Sequence, residues 1–253
     1  MKKSIVVKKS FKLKGFEIEV GVVSNKNHAK SYEVIQLNEP MNTGLIGVNN
    51  GEEFALKFKP NKDIRIAFAV YLDGVNVDQS GDVINVKNIP KEEQSKLESH
   101  SYFFSSEAAS GSVILDRYNQ KNKENRTFTF TTAHGGGINE VLIQDSSLAN
   151  RIEIFLWMEY FSSYDFVDQD CDDLPFGVIH EMLPGSEDLN PKIGAGKATN
   201  KEYTTGKGID SSVFLGKINF IYLDAKSISP LKNIIANLEP DNIIDPMDNV
   251  PKT

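Results

Sequence analysis

The segment IRIAFAVYLDGVNV, residues 64–77, constrains the fold more than any other stretch of the chain. A continuous β-prone apolar run reads as a strand, and it ends on Asp73-Gly74, a pair that tolerates the positive φ angles of a tight hairpin turn. Val75 and Val77 then begin a return strand. Whatever this chain folds into must therefore accommodate a hairpin whose first strand is apolar along its length.

The rest of the sequence agrees with a β architecture. Phe11, Leu13, Phe16, Ile18 and Val20 are separated by Lys, Gly and Glu, the period of two expected of a half-buried strand. SYEVIQL and GLIGV are further strand candidates, and GEEFALKFKP places Phe54, Leu56 and Phe58 on one face. GSVILDRY, RTFTFTT, EVLIQ, IEIFLWMEYF and SVFLGKINFIYLDA follow. IEIFLWMEYF reads as a central strand whose alternate side chains fill the core. Helix signals are sparse. Pro90 followed by KEEQSKLES suits a short surface helix with Pro in its first turn, and Ser229 to Leu238 reads as a second helix or as a strand. Many short strands separated by turn residues predict an all-β fold, a jelly-roll-like β-sandwich with extended N- and C-terminal arms. The predicted organisation is a basic arm with edge strands over 1–48, a sandwich core over 49–225 with an acidic insertion near 163–191, and a Pro-rich arm over 226–253.

Composition narrows the function classes. A formal charge of −7 argues against a general role in binding nucleic-acid phosphates. The charge is unevenly placed: Met1 to Lys30 holds eight Lys against Glu17 and Glu19, whereas Ile152 to Pro191 holds ten acidic residues and neither Lys nor Arg. Either both are solvated faces or one end attracts the other end of a neighbouring copy. Cys171 is the single cysteine, so no intramolecular disulfide forms and a Cys-based metal site lacks ligands. The opening MKKSIVVKKSFKLKG has only Ile5 to Val7 as an apolar run, short for a signal peptide, and no stretch approaches the roughly 20 apolar residues of a membrane span. The expectation is a chain made in the cytoplasm without a signal peptide and without a membrane partner.

The order of several motifs resembles a family of uncharacterised β-rich proteins found in bacteria and some of their viruses. FAVYLDGVNV is followed by GSVILDRY, NRTFTFT, the Gly-rich GAGKATNKEYTTGKG and INFIYLDAKSISPL, and together they span about Gly51 to Leu231. In that family a strand ending in Val-Asp-Gly-x-Asn-Val precedes a Gly-Tyr-Val-Leu segment, an Ala-Phe-x-Phe-Thr strand, a Gly-Thr-Gly-x-Gly region and a Tyr-Asp-Ser strand. Here GSVIL and GAGKAT depart from the second and fourth of these. The resemblance implies a β-sandwich and carries over no activity. Its viral members imply a virion-associated role.

Few residues point to chemistry. Asp168, Asp170 and Asp172 alternate in DFVDQDCDDLPFG and are the candidate ligands for a hard cation such as Ca²⁺. Asp173 then stands where a calcium loop needs Gly and Ile179 where it needs a bidentate Glu, so the alternative is a solvated acidic loop facing a basic neighbour. No other cofactor is expected. GAGKAT lacks the first Gly of a phosphate-binding loop, which is Pro191 here, and has Ala198 in place of the Mg²⁺-binding hydroxyl, leaving a flexible surface loop. His28, His100, His134 and His180 are far apart in sequence and show no metal spacing. The dense aromatic group Trp157, Tyr160, Phe161, Tyr164 and Phe166 reads as core or as a recognition surface. No nucleophile elbow is present, and Cys171 sits among carboxylates that oppose thiolate formation.

The expected function is thus non-enzymatic: a structural or assembly protein, virion-associated as a minor capsid, decoration or head/tail accessory component. Its partners are other copies of itself or other shell proteins. The candidate partner-binding residues are Lys2, Lys3, Lys8 and Lys9 in the basic arm and Ile243, Ile244 and Met247 in the Pro-rich arm. The alternative is a cellular carbohydrate- or peptide-binding β-sandwich module.

Overall fold

A computed structural model describes residues 7–13, 18–36, 42–60, 65–79, 102–105, 111–120, 125–131, 150–159, 192–199 and 212–237. In chain order the strands are β1 (Val7–Lys8), β2 (Phe11–Leu13), β3 (Ile18–Ser24), β4 (Val34–Gln36), β5 (Thr43–Val48), β6 (Glu53–Pro60), β7 (Arg65–Leu72), β8 (Val75–Asn76), β9 (Asp78–Gln79), β10 (Tyr102–Ser105), β11 (Val113–Leu115), β12 (Asn119–Gln120), β13 (Asn125–Thr131), β14 (Arg151–Glu159), β15 (Lys192–Thr199) and β16 (Ser212–Asp224). Helix α1 (Ala225–Asn237) follows β16 directly.

The strands form a β-sandwich. The larger, eight-stranded sheet runs β1-β4-β5-β16-β14-β7-β10, with β8 hairpinned onto β7. The smaller, six-stranded sheet runs β15-β13-β6-β3-β2, and β11 shares an edge of β6 with β13. Pairing is antiparallel except between β5 and β16, and between β9 and β12 in a separate short pair. The mixed larger sheet departs from the antiparallel arrangement of a jelly roll.

One hydrophobic core lies between the sheets, and period-two alternation fills it. Phe54, Leu56 and Phe58 of β6 face Ile66, Phe68, Val70 and Leu72 of β7 and Ile152, Ile154, Leu156 and Met158 of β14. Rings bridge the layers: Phe58 stacks on Phe68 at 4.1 Å, Phe11 meets Phe220 at 5.4 Å and Phe130 meets Tyr222 at 5.2 Å. Each fully buried Phe of this kind contributes about 2 kcal/mol of transfer free energy. In β16 the ladder to β14 shifts register at Leu156/Trp157, so that Leu215 is the extra residue and turns inward while Phe214 stays outward.

Several sequence expectations are refined by this architecture. Phe11 to Val20 is two strands rather than one: β2 and β3 pair back on each other, with Phe11 opposite Val20 and Leu13 opposite Ile18. Within 1–48, β1 and β2 do lie at sheet edges, but β3 and β5 are interior strands and Phe11, Ile18, Val20, Val22 and Ile46 are core residues. Residue 226 falls inside α1, which is capped by Asp224 accepting a hydrogen bond from the Lys226 N–H at 2.8 Å. The helix therefore begins before Ser229, and it lays Ile228 and Leu231 onto the outer face of the larger sheet instead of leaving it as an arm.

GAGKAT is also a strand, not a surface loop. It forms most of β15, and Gly196 with Lys197 makes a bulge opposite Thr127. A β-carbon on Gly196 would collide with the hydroxyls of Thr127 and Thr129, so glycine is what permits this close approach. Trp157 is buried, but on the outer face of the larger sheet with Ala67, Ala69, Tyr71, Phe155 and Phe214 rather than between the layers. The predicted helix after Pro90, the strand EVLIQ, the acidic insertion and Tyr160, Phe161, Tyr164 and Phe166 lie outside the described residues.

Candidate functional site

The Asp73-Gly74 turn forms as the sequence predicts, with φ of 51° and 82° at the two residues, positive at both as a type I′ hairpin turn requires. Its surroundings were not predicted. Asp73 is 1% exposed, and its carboxylate gathers donors from three other strands or their ends. The Tyr222 hydroxyl of β16 donates to Oδ1 at 2.6 Å and lies 2.7 Å from Oδ2. The Ile193 N–H of β15 donates to Oδ2 at 3.0 Å, and the Arg151 N–H of β14 to Oδ1 at 3.2 Å. Because β15 belongs to the smaller sheet and the other elements to the larger, one carboxylate ties the two layers together.

Burial dominates its acidity. Removal from water raises the Asp73 carboxyl to about 6, while the Tyr222 hydroxyl and the main-chain N–H groups of Ile193, Arg151 and Asn150 pull it back toward the charged form. The same burial, reinforced by the Asp73 charge, pushes the Tyr222 phenol well above its ordinary value. A perturbed acid in a cleft would suggest catalysis. Here the carboxylate is sealed and its hydrogen-bonding capacity is taken up within the fold, so the arrangement acts as a clasp.

The clasp leads outward through rings to a solvent-facing cleft. Tyr222 packs on Phe130, and Phe130 meets Tyr32 edge-on at 6.0 Å. Tyr32 follows a tight connection between β3 and β4, held by Ser24 N–H to Lys30 O at 2.9 Å, Lys30 N–H to Asn27 O at 2.8 Å and Tyr32 N–H to Val22 O at 2.9 Å. Its hydroxyl donates to Glu52 Oε2 at 3.0 Å. Burial first, then the adjacent Glu52 charge, raises the Tyr32 phenol above its usual range. Glu52 sits in the β5–β6 turn, where the Asn49 N–H and side-chain amide donate to it at 3.2 and 3.0 Å. That turn is anchored to β13 by Gly51 N–H to Phe130 O at 2.7 Å and Phe130 N–H to Glu52 O at 2.9 Å.

The cleft has a volume of about 670 Å³. One wall is the β3–β4 connection with Lys26, Lys30 and Tyr32, another is the turn carrying Asn49 to Glu52, and the third is the start of α1. Ile35, Gly47 and Ile228 contribute apolar surface. Its carboxylates have partners inside the fold: Glu33 with Lys232 at 3.4 Å, Glu52 with Tyr32 and Asn49, and Glu53 with the Thr127 hydroxyl at 3.4 Å. Among the described residues, the exposed ammonium groups of Lys26 and Lys30 have no ion-pair or hydrogen-bond partner.

Of the residues singled out by sequence, the structure places Asp73 and Gly74 in the clasp. Lys8 is in β1, paired opposite Val34, and Lys9 follows it exposed at the edge of the larger sheet. The structure does not bring these lysines to the cleft. Lys2, Lys3, Asp168, Asp170, Asp172, Ile243, Ile244 and Met247 lie outside the described residues. Among the described residues no group of three or more His, Cys, Asp or Glu is placed to hold a metal ion, and His28 only approaches Asn25 Oδ1 at 3.4 Å. Among them, too, no helix is long and apolar enough to cross a membrane. Sequence reasoning missed Tyr222, Tyr32 and Glu52. A legible signal existed for Tyr222: an Asp turn flanked on both sides by apolar residues needs a buried donor somewhere in the chain.

No protein-family model, curated protein or solved structure matches this chain.

Proposed function

We propose that this chain is a non-enzymatic structural or assembly protein that packs against other copies of itself or against other shell proteins, as a virion-associated component. The observation that carries this reading is the edge of the larger sheet at β1. Among the described residues β1 ends that sheet, and Val7 is the one large apolar side chain left exposed, at 47%. Lys8 and Lys9 follow it in the chain. A sheet edge offers main-chain N–H and C=O groups for strand addition, with an apolar side chain to bury and lysines to choose an acidic neighbour. The sealed Asp73 clasp supports the same reading, because this buried carboxyl, the one among the described residues whose pKa burial shifts upward, joins strands rather than facing a substrate.

Sedimentation and electron microscopy of the purified chain test this. Concentration-dependent particles or oligomers that are lost on deleting residues 1–9 are expected. A strictly monomeric protein at high concentration, unchanged by that deletion, overturns the reading.

The cleft favours a second reading, a carbohydrate- or peptide-binding module. Its volume falls within the roughly 300–1,000 Å³ of ordinary ligand sites, and its lining combines amide, hydroxyl and charged groups around a small apolar floor. Line broadening in NMR spectra of Tyr32 or Asn49 on adding short peptides or oligosaccharides, with the protein monomeric, would favour it over assembly.

A further inference from the structure

The charge around the cleft is more specific than its net balance suggests. Lysines and carboxylates both line it, yet the carboxylates are committed to partners of the fold. Lys26 and Lys30 are not, and both project from a connection whose shape is fixed by main-chain hydrogen bonds rather than by their own side chains. The cleft thus presents the two unpaired ammonium groups of Lys26 and Lys30, among a lining in which the other charged groups have partners, beside Ile35 and Ile228. Such a surface recognises a segment that carries carboxylates spaced by occasional apolar side chains.

The chain itself contains such a segment. Between Asp165 and Asp173 it reads DFVDQDCDD, within the stretch from Ile152 to Pro191 that has ten acidic residues and no Lys or Arg. Its carboxylates match the two free ammonium groups, and Phe166 and Val167 match the apolar floor. We propose that the cleft formed by the β3–β4 connection, the β5–β6 turn and α1 is a docking site for the Asp165–Asp173 segment of a second copy, with Lys26 and Lys30 as its recognition residues. This deepens the assembly reading and rests on it, since it names which surface of one copy receives which segment of the next.

Two measurements test it separately. In the first, a labelled peptide of residues 163–175, with Cys171 replaced by Ser, is titrated into the full chain. Binding that weakens about tenfold or more in the Lys26→Glu/Lys30→Glu variant, and that weakens as salt is raised, is the expected result. Equal affinity for a peptide with its aspartates changed to asparagine, or equal binding by the double variant, overturns the proposal. Both lysines are exposed, and an unchanged unfolding midpoint shows that the variant still folds. In the second, self-association is followed by sedimentation for the wild type, for Lys26→Glu/Lys30→Glu, for Asp170→Lys/Asp172→Lys, and for the two variants mixed. Loss of association in each variant alone with recovery on mixing supports the proposal. Association untouched by either variant overturns it while leaving assembly intact. Peptide binding without any self-association overturns docking between copies together with the assembly reading, and leaves only a contact within one chain.

Discussion

Two carboxylate–tyrosine pairs in this protein use the same chemistry in opposite surroundings. Asp73 and Tyr222 meet inside the sandwich, and Glu52 and Tyr32 meet on the rim of a cleft. Both acids sit in tight turns beside a glycine with positive φ. The interior acid takes main-chain donors from β14 and β15 as well as the phenol, whereas the rim acid takes its other donors from Asn49, three residues away. Reach along the chain is what differs. A carboxylate that collects donors from distant strands holds the tertiary structure, and one that collects them from its own turn shapes a local surface. Water decides the energy of each, because an unpaired group in the interior has no substitute partner while one on the rim does.

The largest test of that contrast is Asp73→Ala. It strands the main-chain N–H groups of Ile193, Arg151 and Asn150 and the Tyr222 hydroxyl, and an unfolding free energy lower by about 3–5 kcal/mol is expected from urea denaturation. If the loss is no greater than that for Glu52→Ala, the distinction between clasp and rim fails.

Acid titration of the clasp gives the next effect. The folded-state value of about 6 lies above the ordinary 3.8, so the protonated acid is favoured by folding. This group's contribution is therefore fully present below about pH 4 and is lost as pH rises through about 6. The stability of the wild type relative to Asp73→Asn should fall by roughly 3 kcal/mol between these limits. Parallel pH profiles for the two proteins would show that the hydrogen bonds cancel the desolvation and that the carboxyl is not raised.

Tyr222→Phe removes a single donor and leaves the N–H contacts in place, with an expected loss of about 2 kcal/mol in the same denaturation assay. Tyr32→Phe should cost less, about 0.5–1 kcal/mol, because Glu52 keeps its Asn49 donors and gains water. Equal losses for the two tyrosines would mean that the rim pair is as sealed as the clasp, and the cleft would then need to be redrawn.

Much of the fold can be read from local pattern. The period-two runs of β6 and β13, the apolar run of β7 and the Asp73-Gly74 turn appear in the structure because each depends on side-chain alternation or on φ at one or two residues. The segments that misled did so where distant contacts override composition. GAGKAT looks like a loop until Thr127 and Thr129 of β13 are placed against it, and residues 226–228 look like the start of an arm until α1 packs onto β5 and β16. Trp157 reads as core or as recognition surface, and it is buried on a face that alternation alone does not identify as covered.

The amino-acid sequence by itself determined that this is a β protein, that its chain reverses at Asp73-Gly74, and that its charge is divided between a basic beginning and an acidic stretch near 152–191. These follow from steric preference, periodicity and counting. Only the tertiary structure decided what the turn's aspartate is for. Tyr222 is 149 residues from Asp73 and Ile193 is 120 away. No spacing rule relates them. They meet because two sheets must close over one core, and a carboxylate buried by that closure has to find its donors from whichever strands the topology brings to it. The cleft has the same origin, since Lys26, Glu52 and Lys232 share a surface only once β5 and β16 lie side by side and α1 folds back beside them.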